Sequence, residues 1–189
     1  MRQRLNFGVA GTAGRSGWTS HAVDLDLSLA DVNLPNLELR KADIMAGPVE
    51  PGSFDLVTAR AVLHHIADAE KAIANLVPSL RPGGAILLIE PDFLPVTIAE
   101  PPEIRAFWSG WLAWSRDRGI DYQIGRTLAP RLAALDLKQI GGTAETAIYK
   151  GTSLWARLLE RDSQRASRGL DKLWQSQQHA GRHIPRLLR

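Results

Sequence analysis

The hydrophobic period changes several times along the chain, and each change marks an element. In "NLELRKADI" (36–44), Leu37 and Leu39 alternate with polar neighbours, which predicts a strand. "HAVDLDLS" (21–28) holds a shorter strand-like core at Ala22–Leu25. "FDLVTA" (54–59) and "AILLIE" (85–90) are continuous apolar runs, the pattern of strands buried on both faces. Between them Ile73, Leu76, Val77 and Leu80 fall at i, i+3, i+4 and i+7, an amphipathic helix. Asp68 stands where it can cap that helix, and Glu70 occupies the first turn, where the helix dipole favours an anion. Pro78 weakens its last turn, and "RPGG" (81–84) stops it and turns the chain. Ile104, Phe107, Trp108, Trp111 and Leu112 form a second helical stripe; Leu128, Leu132 and Leu135 form a shorter one, opened by Thr127. "LKQIGGTAETAIYKG" (137–151) reads as a closing antiparallel hairpin, and "TSLWARLLERDSQR" (152–165) starts a last helix.

Three stretches follow. Residues 1–20 are rich in Gly, Ser and Thr without a period and read as an irregular N-terminal segment. Residues 21–160 read as one α/β domain, because buried strands alternate with helix and join through Gly-rich turns. In such sheets ligands bind at the carboxyl ends of the strands. Residues 161–189 read as a basic, loosely ordered tail.

Composition narrows the chemistry. At 189 residues the chain holds one domain with a proper core. It has no cysteine, so thiol nucleophiles, disulfides and zinc-thiolate sites are excluded. No apolar run approaches a membrane span, and no apolar segment follows the basic N-terminus; a cytoplasmic setting without membrane partners is expected. The net charge of +3 divides unevenly: the tail from Arg161 carries +5 and the rest −2. A nucleic-acid partner would have to use the tail, and is not favoured.

The ordered set of these segments resembles the class I S-adenosylmethionine-dependent methyltransferases. "AVDLD" is similar to the family's second strand, "NLELRKADI" to its third strand and the following acid, and "GSFDLVTARAVLHHIADAEKAIANLVPSLRPGGAILLIEPD" to its fourth strand, helix and fifth strand. The resemblance implies a Rossmann-like, mostly parallel sheet with helices on both faces and a C-terminal antiparallel hairpin. It implies S-adenosylmethionine as cofactor, with Asp24 on the ribose, Asp43 on the adenine amino group, Ile44 against the ring, and Ala59 and Arg60 beside the methionine part. Glu90, Asp92 and Trp108 would border the acceptor. His64 and His65 are adjacent, so on a helix they point about 100° apart and cannot ligate one metal from one face. No metal site is read; one of the pair is a candidate acceptor-lining group or general base.

The family's Gly-rich turn after its first strand has no counterpart. "FGVAGTAGRSGW" spaces Gly8, Gly11, Gly14 and Gly17 by three, with no preceding acid and no room for strand, turn and helix together. The favoured expectation is therefore a truncated or degenerate copy without the first strand and helix, leaving two sheet edges unpaired. The alternative is that Gly8–Gly17 is a shrunken version that still skirts the cofactor. Methyl transfer to a small-molecule acceptor is the expected activity. A non-catalytic or partner-binding methyltransferase-like domain is the alternative.

Overall fold

Five strands form one sheet in the computed structural model, which describes residues 8–14, 17–30, 33–146 and 157. They are β1 (Gly8–Gly14), β2 (Gly17–Asp24), β3 (Leu37–Lys41), β4 (Phe54–Arg60) and β5 (Leu80–Ile89), in the spatial order β3-β2-β1-β4-β5. The pairs β2–β3 and β4–β5 are parallel, as the apolar runs suggested. The central strand is different. β1 runs antiparallel to both neighbours, with Val9 opposite Ala22 on one side and Thr58 on the other.

This corrects two expectations. Residues 8–14 and 17–20 are strand, not irregular chain. The sheet also has no gap at its centre, because β1 pairs on both sides and joins the halves. A tight hairpin, with Gly14 opposite Gly17, takes the place of a crossover helix between β1 and β2.

The helix α1 (Ala69–Leu76) forms as the sequence period requires. Asp68 caps it by accepting the Lys71 N–H at 2.9 Å, and Ala69, Ala72, Ile73 and Leu76 are buried. The helix ends earlier than the stripe suggests. Val77–Ser79 tighten into a 3-10 turn around Pro78, and Leu80 begins β5. "RPGG" is part of β5, with Gly83 at φ +79° and a register shift against β4. Gly84 is obligatory there: a Cβ would stand 2.9 Å from the Phe54 carbonyl oxygen.

Phe54, Val57 and Ala59 of β4 pack against Leu76, with Ile86 and Leu88 of β5 beside them. A second cluster joins Leu63, Ala72, Ile73 and Ile124 to Leu88 and to Leu128 and Leu132 of α4 (Leu128–Ala133). α1 and α4 thus share one face of β5. On its other face Ala85, Leu87 and Ile89 are exposed.

Contacts divide the chain into two units. One holds the sheet, α1, Ser115–Gly141 and the chain up to Leu94. The other includes Pro95–Trp114, with most of the short helix α2 (Leu94–Thr97) and of helix α3 (Pro102–Arg116), where the Trp108 and Trp111 rings meet edge-on with centroids 5.5 Å apart. The expected closing hairpin is not formed over residues 137–146, which contain no strand; its remainder, the last helix and the basic tail lie outside the described residues. Among the described residues, no helix is long and apolar enough to cross a membrane.

Ile73 is fully buried between the sheet and α4. Ile73→Ala is expected to cost about 2–5 kcal/mol, read as a lower urea midpoint with unchanged slope.

Candidate functional site at the carboxyl edge of the sheet

β2, β3 and β4 all point their carboxyl ends to one edge, and the residues singled out from the sequence fall there. Asp24 is the last residue of β2, paired in register with Lys41 at the end of β3. Its backbone carbonyl accepts the Ala42 N–H at 3.0 Å, which fixes the two strand ends together. Its side chain is buried, with 8% of the residue exposed, and Oδ1 accepts the Asp26 N–H at 3.0 Å. A carboxylate offers about four acceptor positions, so among the described residues most of its capacity is left over for a ligand. Asp26, the alternative acid, caps a short turn by accepting the Ser28 N–H.

Asp43 follows β3 directly. It is exposed, and its Oδ1 accepts the Met45 N–H at 2.8 Å, holding the loop in a tight turn. Ile44 is half-buried and packs into both hydrophobic clusters. Ala59 and Arg60 end β4, Ala59 buried and Arg60 exposed. The next residue, Ala61, has φ +52°, a left-handed conformation costly for a residue with a Cβ. Its N–H donates to the Ile89 carbonyl at 2.9 Å.

The strained turn is held by Glu90, just beyond β5. Glu90 was expected to face an acceptor; its side chain is instead fully buried and committed to the chain itself. Oε1 accepts the N–H groups of Val62 and Leu63, both at 2.8 Å. Oε2 lies 2.7 Å from His64 Nδ1 and 3.3 Å from the His64 N–H. Burial pushes the Glu90 carboxyl up, but the hydrogen bonds from the His64 ring and from the Leu63 and Val62 N–H groups together outweigh it and hold the group below its ordinary range.

The two histidines sit in a 3-10 turn (Leu63–His65), not a helix, with ring centroids 3.9 Å apart. Tyr122 packs on the His64 ring at 5.0 Å, and Phe93 on Tyr122 at 5.0 Å. His64 is buried. His65 Nδ1 is buried without a hydrogen-bond partner among the described residues. Desolvation, with the His64 ring adding to it, pushes His65 down to about 4. His65 is therefore neutral at physiological pH. Asp92 receives Arg126 through both oxygens at 3.1 Å and also accepts the Leu94 N–H. Trp108 belongs to the other unit.

The sheet brings the ends of β2, β3 and β4 to one edge, but not a glycine turn. Because β1 is reversed, its Gly14–Gly17 turn lies at the opposite edge, and only Gly8, in register with Val23, is near Asp24. Sequence reading missed the structural role of Glu90 and the left-handed turn at Ala61. The only sequence signal for either was an acid closing an otherwise apolar strand.

Residues 9–88 match the family model of a methyltransferase domain. The chain is 42% identical to an uncharacterized 37.1 kDa protein in transposon TN4556 of Streptomyces fradiae, over 36% of this chain and 20% of that protein. It is 26% identical to a methyltransferase of Strobilurus tenacellus, over 61% of this chain and 47% of the relative. It is 32% identical to an uncharacterized methyltransferase of Mycobacterium tuberculosis, over 49% of this chain and 47% of the relative. The matches span less than half the length of each of these relatives.

Two predictions follow from Glu90 and His65. Glu90→Ala leaves three backbone donors and the His64 ring without their acceptor, and is expected to cost about 3–5 kcal/mol in urea unfolding. The pH response has a definite sign. The unfolded chain protonates His65 near its ordinary 6.5, whereas the folded protein resists until about 4. Stability is therefore complete above pH 6.5 and falls as pH drops through that window. Glu90 adds a further loss below its ordinary 4.5. His65→Asn is expected to flatten the upper window and leave the lower one, read as urea midpoints from pH 7 to 4.

Proposed function

Because the chain belongs to the class I methyltransferase family, we propose that the carboxyl edge of β2, β3 and β4 binds S-adenosylmethionine and that the protein methylates a small molecule. The observation that carries this reading is Asp24: a buried carboxylate at a strand end, with acceptor positions left over among the described residues. A ribose diol is the natural partner of an acid so placed. Asp43 stands one strand over with an oxygen left after the Met45 N–H is satisfied, suited to an exocyclic amine. Ile44 offers an apolar surface for the adenine ring. Ala59 and Ala61 keep side-chain bulk low where the methionine part would pass, and Arg60 supplies an exposed cation for its carboxylate.

Bound there, the cofactor would supply a sulfonium-activated methyl group for in-line displacement by the acceptor's nucleophile. The protein's part is alignment and exclusion of water. Glu90 does this indirectly, by fixing Val62–His64 after the strained Ala61. Neither histidine is well placed as a general base. His64 is buried, its ring packed against His65 and Tyr122, and His65 holds protons poorly. The reaction as proposed relies on an acceptor that is already nucleophilic or loses its proton late. The body's slight negative charge supports a small molecule over nucleic acid.

One observation favours the second reading, a methyltransferase-like domain without catalysis. The glycine turn lies at the edge opposite Asp24, so no side-chain-free backbone from that turn cradles the cofactor.

Calorimetric titration of the purified chain with S-adenosylhomocysteine decides between them. Saturable binding, weakened at least about tenfold by Asp24→Asn, is expected, the loss of one charge-assisted hydrogen bond. No binding by folded protein would favour the non-catalytic reading.

A further inference from the structure

A cavity of about 650 Å³ opens where α1 begins, beside the loop that follows α3. Its size suits a small molecule. None of Asp24, Asp43, Ala59 and Arg60 lines it. Arg116 closes α3, Arg126 lies in a 3-10 turn (Ile124–Thr127), and Arg131 lies on α4; all three line the cavity.

Three acids also line it, so the formal charges balance: Asp68, Glu70 and Asp121. Each acid already has one partner within the chain. Asp68 accepts the Lys71 N–H as helix cap, and Asp121 accepts the Gln123 N–H at 2.9 Å. Glu70 pairs with Arg131 at 3.0 Å. The arginines keep donors in reserve. A guanidinium has five N–H donors. Arg126 spends Nε and Nη2 on Asp92, outside the cavity lining, and Arg131 spends Nε on Thr127 and Nη1 on Glu70. Among the described residues, Arg116 has no ion pair. These ties also hold Arg126 and Arg131 in place, so an incoming anion would meet preorganised donors. The first turn of α1 adds its N–H groups and the positive end of its dipole.

We infer that this cavity binds the carboxylate or phosphate end of a small molecule, with Arg116 and Arg126 as its principal donors. The inference does not depend on the methyl-donor reading, because the two sites share no residue.

The test uses the full chain in phosphate-free buffer at fixed ionic strength. Inorganic phosphate and acetate are titrated separately, followed by amide chemical shifts and by ³¹P line width for phosphate. Saturable shifts at Ala69–Lys71 and Ile124–Thr127 are expected with one probe or both, and whichever binds names the anion. Arg116→Gln and Arg126→Gln alter exposed side chains, and each is expected to weaken binding at least about fivefold while S-adenosylhomocysteine affinity stays unchanged. Absence of saturable shifts with both probes would overturn the inference. So would anion binding that persists undiminished in the double variant, since the anion would then sit elsewhere, for example on the basic tail. If S-adenosylhomocysteine fails to bind while phosphate still does, the methyl-donor reading fails and this one stands.

Discussion

Glu90 is the constraint on which the candidate site depends. A carboxylate with no exposed side-chain surface is costly unless every acceptor position is used. Here it is used to hold the chain leaving β4 against the end of β5. The turn it holds includes Ala61, whose left-handed backbone would not persist in a loop free to relax. Because Ala59 and Arg60 precede that turn, the shape of the sheet's carboxyl edge follows from one buried acid on the neighbouring strand.

The sheet solves a second problem in an unusual way. Its parallel pairs, β2–β3 and β4–β5, would each present an unpaired inner edge without a strand between them. β1 satisfies both edges at once, and does so by reversing direction. A hairpin needs few residues, whereas a parallel strand needs a crossover of a dozen or more. Only two residues separate β1 from β2, room for the first and not the second. The same reversal carries the glycine turn to the edge away from Asp24. β1 thus holds the sheet together without bringing its glycine turn to the candidate site.

Much of the fold was legible because it is local. The alternation at Leu37 and Leu39, the apolar run of β4, and the Asp68 cap before Ala69, Ile73 and Leu76 are each decided within a few residues. Leu80 was assigned to the helix because it keeps the period; Pro78 breaks the turn before it, and the residue starts β5 instead. β1 was illegible because glycine and alanine carry no facial pattern, and its strand character comes from partners on both sides. Glu90 was recognised as a strand-end acid, but its role depends on N–H groups 27 and 28 residues earlier. No local pattern reports such a contact. The positions of Asp24, Asp43, Ala59 and Arg60 at one edge were legible once the strands were, since strand ends of a parallel sheet converge.

The most direct measurement is amide hydrogen exchange, residue by residue, with and without S-adenosylhomocysteine. The account predicts slowed exchange at residues 24–26, 42–45 and 59–63, the three segments at the carboxyl edge, and no change along Gly119–Thr127. Unchanged exchange at that edge, or slowing confined to the cavity at the start of α1, would contradict it.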